Sequence, residues 1–246
     1  MKESLSAETI MISGHNGDEI EAYVARPGDV ETFGGVVVIH HMPGYDASTK
    51  EIARKFAANG YLAVMPNLYW RDAPGASPDD AAATARGKGG VPDERLVGDV
   101  AGAAEFLRGQ AGCNGKIGVI GYCSGGRQSF LSACSLPLQA AVDCYGGAVL
   151  NVPDGAPSSM KPLGGLAKDL SCPLLGLFGA DDQFPTPAET TELSGILDSH
   201  GKAHDFHTFE GAGHAFFSVD RPAYRVEAAN EGWSLIWDFF GKHLAS

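Results

Sequence analysis

The sequence predicts an α/β fold, with a mostly parallel central sheet flanked by helices on both faces. Residues 35–40 (GVVVIH) and 116–121 (KIGVIG) are unbroken runs rich in β-branched side chains, the pattern of strands buried on both faces. Such runs alternate along the chain with segments whose apolar residues recur at helical spacing. That alternation calls for right-handed crossovers and parallel neighbours. Composition is the third observation: 44% of the 246 residues are apolar, and a folded chain of this size removes roughly three quarters of its unfolded surface from water. One domain over residues 1–246 is expected.

From the N-terminus, residues 10–13 and 19–26 read as two short strands around Gly14-His15-Asn16-Gly17, a hairpin entry. After the strand at 35–40, residues 48–59 place Ile52, Ala53, Phe56 and Ala57 at helical spacing, and Gly60 stops the helix. Residues 61–65 form the next strand. Residues 66–92 are rich in Pro, Gly, Ala and Asp, with a short helix over 79–86; a surface excursion of this length is the kind that serves as a lid or substrate loop. A helix over 93–112 carries Leu96, Val97, Val100, Ala104 and Leu107 on one stripe. The strand at 116–121 runs into a tight turn and a helix over 125–133. Strands at 140–145, 173–179 and 204–209 follow, separated by a Gly/Pro/Ser-rich stretch at 147–165 and a helix over 187–200. A helix over 221–243 closes the chain.

The balance of 18 basic against 30 acidic residues gives a net charge of −12, which disfavours nucleic acid, whose backbone is gripped by clustered Lys and Arg. No apolar run approaches the roughly eighteen residues of a membrane span. Residues 1–12 carry Glu3 and Glu8 where a leader peptide would be basic and then apolar, so a cytoplasmic address is expected. The five cysteines are an odd count without Cys-x-x-Cys spacing, which argues against a disulfide framework or a zinc site. Four of them, Cys113, Cys134, Cys144 and Cys172, read as small apolar core residues.

The fifth stands in Gly121-Tyr122-Cys123-Ser124-Gly125-Gly126, a Gly-x-Cys-x-Gly nucleophile elbow. A nucleophile on a sharp strand-to-helix turn needs neighbours without side chains two positions either side, and the helix N-terminus it occupies favours a thiolate. The bland reading, a buried small residue between packing glycines, is weaker, and Ser124 lies one place off the centre of the pattern. A thiolate needs a base, and the base an orienting carboxylate, in the chain order nucleophile, acid, histidine. Asp181-Asp182 follows the strand at 173–179, and His214 follows the last strand in a glycine-flanked loop. An acidic residue beside proline is often only a turn former, and a loop histidine only solvated; the three in order carry more weight than each alone. Main-chain N–H groups of Met42 and Ser124 are the expected oxyanion hole. His40 and His41, as adjacent residues at a strand end, point in opposite directions and do not form a metal pair.

With these residues in view, the chain from about residue 19 to 240 resembles the dienelactone hydrolase family, also called carboxymethylenebutenolidases, of the α/β-hydrolase fold. The resemblance lies in GYCSGG around Cys123, FGADDQFP around Asp182, GAGHAFF around His214, GYLAVMPNLYWR at 60–71 and RPAY at 221–224. It implies that Asp182, rather than Asp181, is the acid. Two positions depart from the family pattern. A glutamate that helps to activate the thiol is replaced by His41, and an arginine four residues after the triad histidine, which holds a substrate carboxylate, is replaced by Ser218.

The expected activity is hydrolysis of a small ester or lactone through a covalent acyl-enzyme, with no cofactor and no metal, by a monomer or small homo-oligomer. A broader esterase or thioesterase acting on uncharged substrates, and a non-catalytic ligand binder on the same scaffold, are the alternatives. Candidate substrate contacts are His41, Tyr45, Arg71, Arg86, Tyr122, Arg127 and Phe217, with Arg221 a further arginine and Trp70, Tyr145 and Phe184 further candidates for pocket walls. The guanidinium groups suit a carboxylate and the rings suit pocket walls.

Overall fold

The computed structural model describes residues 5–28, 32–156 and 159–245. Its centre is an eight-stranded sheet formed by β1 (Leu5–Ser13), β2 (Glu19–Pro27), β3 (Phe33–Ile39), β4 (Leu62–Pro66), β5 (Cys113–Tyr122), β6 (Ala140–Cys144), β7 (Leu174–Gly179) and β8 (His204–Phe209). The spatial order is β1-β2-β4-β3-β5-β6-β7-β8. β1 and β2 form an antiparallel hairpin, β2 runs antiparallel to β4, and every pairing from β4 to β8 is parallel. The α/β fold read from the sequence is therefore the one observed.

Among the described residues six α-helices cover the sheet: α1 (Ala47–Ala58), α2 (Pro78–Gly87), α3 (Asp93–Arg108), α4 (Ser124–Ser135), α5 (Pro187–Ser199) and α6 (Val226–Leu244). Period-2 alternation in β3 decides which face each packs on. Val36 and Val38 join Phe56 of α1 and Ile236, Phe240 and Leu244 of α6 in one core. Val37 and Ile39 join Leu96, Val100 and Leu107 of α3, Phe130 of α4 and Leu197 of α5 in the other. Helix starts follow their caps: Asp46 accepts from the Thr49 N–H at α1, and Thr186 and Glu189 make a reciprocal capping box at α5.

Several boundaries differ from the sequence reading. β1 starts at Leu5, well before residue 10, because its main chain pairs with β2 along the whole hairpin, Leu5 opposite Pro27. α3 stops at Arg108, with Gly109 as its cap, so residues 110–112 are not helical. A short 3-10 helix, Gly164–Asp169, follows at the end of the stretch read as irregular. The last helix begins at Val226, not 221. Pro222 disfavours helical backbone at Arg221, and residues 218–225 instead make turns whose amides bond Ala215 O, Ser218 O, Arg221 O and Phe216 O. All five cysteines are free, with Cys144 and Cys172 buried and Cys113 and Cys134 only half-buried against the core.

The excursion at 66–92 is docked onto the fold, since α2 buries Ala81, Ala82 and Ala85 in the same core as the apolar stripe of α3. Arg71 helps to anchor it. Its Nη1 and Nη2 each donate at 2.9 Å to Asp99, whose side chain has no exposed surface, and its Nε donates at 2.8 Å to Asp18. Removing one partner of a buried pair strands the other charge. Arg71→Met is expected to lower the free energy of unfolding by about 3 kcal/mol or more in urea titrations; a loss below about 1 kcal/mol would mean that Asp99 is satisfied by its remaining donor, the His15 N–H.

Candidate active site

β5 ends at Tyr122 and α4 begins at Ser124, so Cys123 alone makes the strand-to-helix turn. It does so with φ 56°, a left-handed conformation that few non-glycine residues adopt. The flanking glycines are required by close approach: a β-carbon at Gly121 would overlap the Gly125 carbonyl, and one at Gly125 would sit 2.5 Å from Ile39 O. The Cys123 N–H donates to Cys144 O at 3.0 Å, which ties the turn to β6. Cys123 is only partly buried and opens onto a small cavity that it lines together with His41, Tyr122, Tyr145 and His214.

Two loops bring the other groups to that cavity. After β7, the Asp181 N–H donates to Ala212 O and the Ala180 N–H to Phe209 O, which fastens the acidic loop to the loop after β8. Asp181 points to solvent, whereas Asp182 is buried. The Phe184 N–H donates to Asp182 Oδ1 at 2.8 Å, and Asp182 Oδ2 accepts from His214 Nδ1 at 2.9 Å. With Nδ1 engaged, Nε2 is the ring nitrogen left for the cavity that His214 shares with Cys123. Burial alone would lower the pKa of His214; the Asp182 hydrogen bond and the Cys123 sulfur beside it outweigh burial and raise it to about 10.

The sign of the resulting pH dependence follows from linkage. His214 titrates in the folded chain near 10, against an ordinary value of 6.5. Its contribution to stability is complete below about 6.5 and is lost as pH rises through about 10. Urea midpoints at pH 7 and pH 9.5 are expected to differ more in the wild type than in His214→Gln; equal differences in the two proteins would show that no such charge is held.

Met42 also lines the cavity, and among the described residues neither its N–H nor that of Ser124 has a main-chain acceptor. The loop carrying Met42 is braced by His40, which is buried. His40 Nδ1 donates to His41 O at 2.9 Å and Nε2 accepts from the Leu68 N–H at 3.2 Å, a pattern that only the neutral ring can make. Burial pushes its pKa down to about 4. With both ring nitrogens used, His40 is a structural strut.

His41 and Tyr122 line the Cys123 cavity, and Phe217 lines a neighbouring cleft that shares His41, Tyr122, Tyr145 and Ser218 with it. His41 Nε2 lies 3.1 Å from Asp46 Oδ2 and 3.3 Å from Arg221 Nη2. Burial would raise the Asp46 carboxyl, but hydrogen bonds from His41, the Thr49 N–H and the Thr49 hydroxyl hold it well below the usual range. Arg221 is part of the same cavity wall. Arg86 lies outside that wall, against the Met42 sulfur at 2.9 Å.

Three candidate contacts lie elsewhere. Arg71 is engaged by Asp99 and Asp18, as described above. Arg127 is buried and donates to Asp93, Ala148 O and Lys161 O, so its fork is fully used inside the fold. Tyr45, at φ 52°, lines a different cavity together with Lys50, Asn67 and Tyr69, and Lys50 Nζ sits 4.2 Å over its ring.

Asp143 was not readable as a site residue, whereas Tyr145, one of the rings read as a candidate pocket wall, does line the Cys123 cavity. Asp143 is buried at the end of β6; its Oδ1 accepts from the Gly146 N–H at 2.7 Å and its Oδ2 has no partner. Burial pushes its carboxyl up to about 7, against the opposing effects of the Gly146 N–H and His214. The turn that Asp143 closes holds Tyr145 at φ 45°, with its ring edge-on to His214 at 5.1 Å. An aspartate inside the apolar run AAVDC was the available signal.

No helix among the described residues is long and apolar enough to cross a membrane. The sequence model of the dienelactone hydrolase family matches residues 20–244. A Yersinia pestis protein named "Putative carboxymethylenebutenolidase" is 34% identical over 238 residues, covering 94% of this chain and 86% of that protein. A Bradyrhizobium protein named "Probable 2-oxo-3-(5-oxofuran-2-ylidene)propanoate lactonase" is 28% identical, covering 97% of this chain and 99% of that one. A Klebsiella pneumoniae crystal structure titled as a "Putative Dienelactone Hydrolase" superimposes with TM-score 0.85 at 29% identity, over 98% of this chain and all of that one. An elbow cysteine, a carboxylate-bound histidine and near end-to-end agreement with these relatives converge on one assignment: the chain belongs to the dienelactone hydrolase family, hydrolases of the α/β-hydrolase fold.

Proposed function

We propose that the protein hydrolyses a small ester or lactone by covalent catalysis at Cys123, with His214 shuttling the proton and Asp182 orienting His214. The observation that carries this reading is the 2.9 Å bond from His214 Nδ1 to Asp182 Oδ2 beside the cavity that Cys123 lines. The Cys123 thiolate adds to the substrate carbonyl carbon, and the oxyanion is met by the Met42 and Ser124 N–H groups. Collapse breaks the C–O bond, and the departing alkoxide takes the proton of the His214 imidazolium. His214 then accepts a proton from water as the water attacks the thioester, and the acid leaves with Cys123 regenerated. In a lactone the alcohol stays attached to the acyl group.

Arg221 favours an anionic lactone within this class. It stands in the cavity wall where Ser218 offers no positive charge, and a guanidinium pairs well with a carboxylate. The Bradyrhizobium relative is named for a lactone bearing a propanoate. The test is a hydrolysis panel of p-nitrophenyl esters and cis and trans dienelactones, with mass spectrometry of acid-quenched enzyme. An acyl adduct on Cys123 and a rise in KM for the dienelactones alone in Arg221→Gln are expected. Turnover without any adduct under burst conditions counts against the covalent route, and equal KM effects on charged and neutral substrates count against Arg221.

A further inference from the structure

Three groups meet at one ring in the wall of the Cys123 cavity. His41 Nε2 lies 3.1 Å from Asp46 Oδ2 and 3.3 Å from Arg221 Nη2, and His41 Nδ1 lies 3.4 Å from the Thr49 hydroxyl. These contacts cannot all be hydrogen bonds at once. The Thr49 hydroxyl has a single hydrogen, and that hydrogen is committed to Asp46 Oδ1 at 2.8 Å, where the Thr49 N–H also donates. Toward His41 the hydroxyl can therefore only accept, and Nδ1 must carry a hydrogen. Asp46 Oδ2 needs a donor as well, and the Nε2–H of His41 supplies it. Asp46 and Thr49 are thus satisfied together only by a ring that carries both hydrogens, an imidazolium. Arg221 asks for the opposite. A guanidinium has donors and no acceptor, so its contact with Nε2 is a hydrogen bond only when that nitrogen is bare.

The two states of the ring treat Arg221 differently. A protonated His41 donates to Asp46 and repels the guanidinium beside it. Arg221 is then left with open donors, because among the described residues its side chain has no other hydrogen bond and no ion-pair partner. The adjacent Asp220 is turned away, accepting from the Ser48 hydroxyl at 3.5 Å. Two cations on one cavity wall, one of them unpaired, favour an anion. A neutral His41 accepts from Arg221 instead, so the guanidinium is spent on the protein and the wall has lost one positive charge.

We propose that His41 is a specificity-determining switch of the Cys123 cavity: as an imidazolium it frees Arg221 for a substrate carboxylate, and as a neutral ring it takes Arg221 as its donor and withdraws the anion site. The proposal rests on the carboxylate reading of Arg221, and it adds that the preference for anionic over neutral lactones depends on pH. The preference is complete at low pH, where the ring is charged, and is lost as pH rises and the proton leaves to solvent. The other titratable groups around the ring are Asp46, His40, Cys123, His214, Tyr122 and Tyr145, with Glu51 and Lys55 in the neighbouring cleft. Their effects are common to proteins that differ only at position 41, and cancel between them.

Two measurements test the switch without turnover. In the first, full-length Cys123→Ala protein, which has no thiolate to repel an anion, is titrated calorimetrically with cis-dienelactone and with its carboxamide analogue from pH 6 to pH 9. The carboxylate is expected to bind about tenfold tighter than the amide at pH 6 and only about twofold tighter at pH 9. Adding His41→Gln, which keeps a donor toward Asp46 but does not titrate, is expected to make the ratio independent of pH. Adding Asp46→Asn, which can still cap α1, is expected to move the decline to lower pH. A pH-independent ratio with His41 in place, or a decline that survives His41→Gln, overturns the proposal. In the second, the His41 ring is titrated by nuclear magnetic resonance with and without each ligand. Linkage is reciprocal, so the titration is expected to move to higher pH with the carboxylate and not with the amide; no movement overturns the proposal. If both results hold but no ester is turned over by the wild type, the catalytic reading fails and the switch stands. If dienelactones are turned over through Cys123 while the binding ratio is flat, the hydrolase reading stands and the switch fails.

Discussion

Cys123→Ala is expected to lower kcat/KM for every ester and lactone that the wild type hydrolyses by about 10⁴-fold or more, the order found when a covalent nucleophile is deleted. The argument is structural as well as chemical. Cys123 sits at φ 56° in a turn whose neighbours have no room for a side chain, so no other residue can move into its place. Ser124 is the nearest hydroxyl, but it belongs to the first turn of α4, where its main-chain N–H, not its side chain, faces the developing oxyanion in the proposed mechanism. The left-handed turn is equally available to alanine, so the fold is expected to persist with a thermal midpoint within a few degrees of the wild type. Steady-state rates with a fluorogenic ester, paired with a melting curve, decide the matter. Activity within tenfold of wild type in a folded variant would remove Cys123 from the mechanism.

The second large effect is expected at the carboxylate. Asp182→Asn should reduce kcat by about 10³–10⁴-fold, because an amide in that place donates where it must accept and favours the wrong imidazole tautomer. It should also move a pH limb. In the wild type His214 keeps its proton to about pH 10, so under the proposed mechanism activity is expected to decline only as pH rises through that value. Without the Asp182 charge the pKa of His214 falls and the alkaline decline shifts to lower pH. A pH profile of kcat/KM for both proteins, or a nuclear magnetic resonance titration of the His214 ring, reads the shift directly. An alkaline limb at the same pH in both would mean that Asp182 acts on folding alone.

What the sequence disclosed about this region, and what it withheld, follows from the range of each signal. The elbow is local: its two glycines stand two places either side of Cys123 because the backbone closes on itself there, and that spacing survives in any one-dimensional reading. Chain order places the loops of Asp182 and His214 at the ends of β7 and β8, and a parallel sheet brings strand ends together. The arginines carry no such information. Arg71 and Arg127 look as eligible for a substrate as Arg221 does, yet their partners, Asp99 and Asp93, are supplied by α3 from elsewhere in the chain. Only the folded arrangement shows which guanidinium is left over. The pairing of His41 with Asp46 was hidden for a similar reason, since it depends on where α1 starts and how its first turn faces the preceding loop. Asp143 falls inside a strand, where its type gave no hint of which way it faces.

The strand order has a consequence for how the chain is made. β3 is central, and its main chain is satisfied by β4 on one side and β5 on the other; Val37 pairs with Val64 and with Val119. During synthesis the hairpin of β1 and β2 can form early, but β3 waits, apolar on both faces, until β5 has emerged. One of those faces stays bare longer still, because Phe240 and Leu244 of α6 are the side chains that close over Val36 and Val38. Non-local pairing of this kind slows folding and leaves sticky intermediates. A ribosome-bound fragment ending before α6 is therefore expected to be an aggregation-prone species.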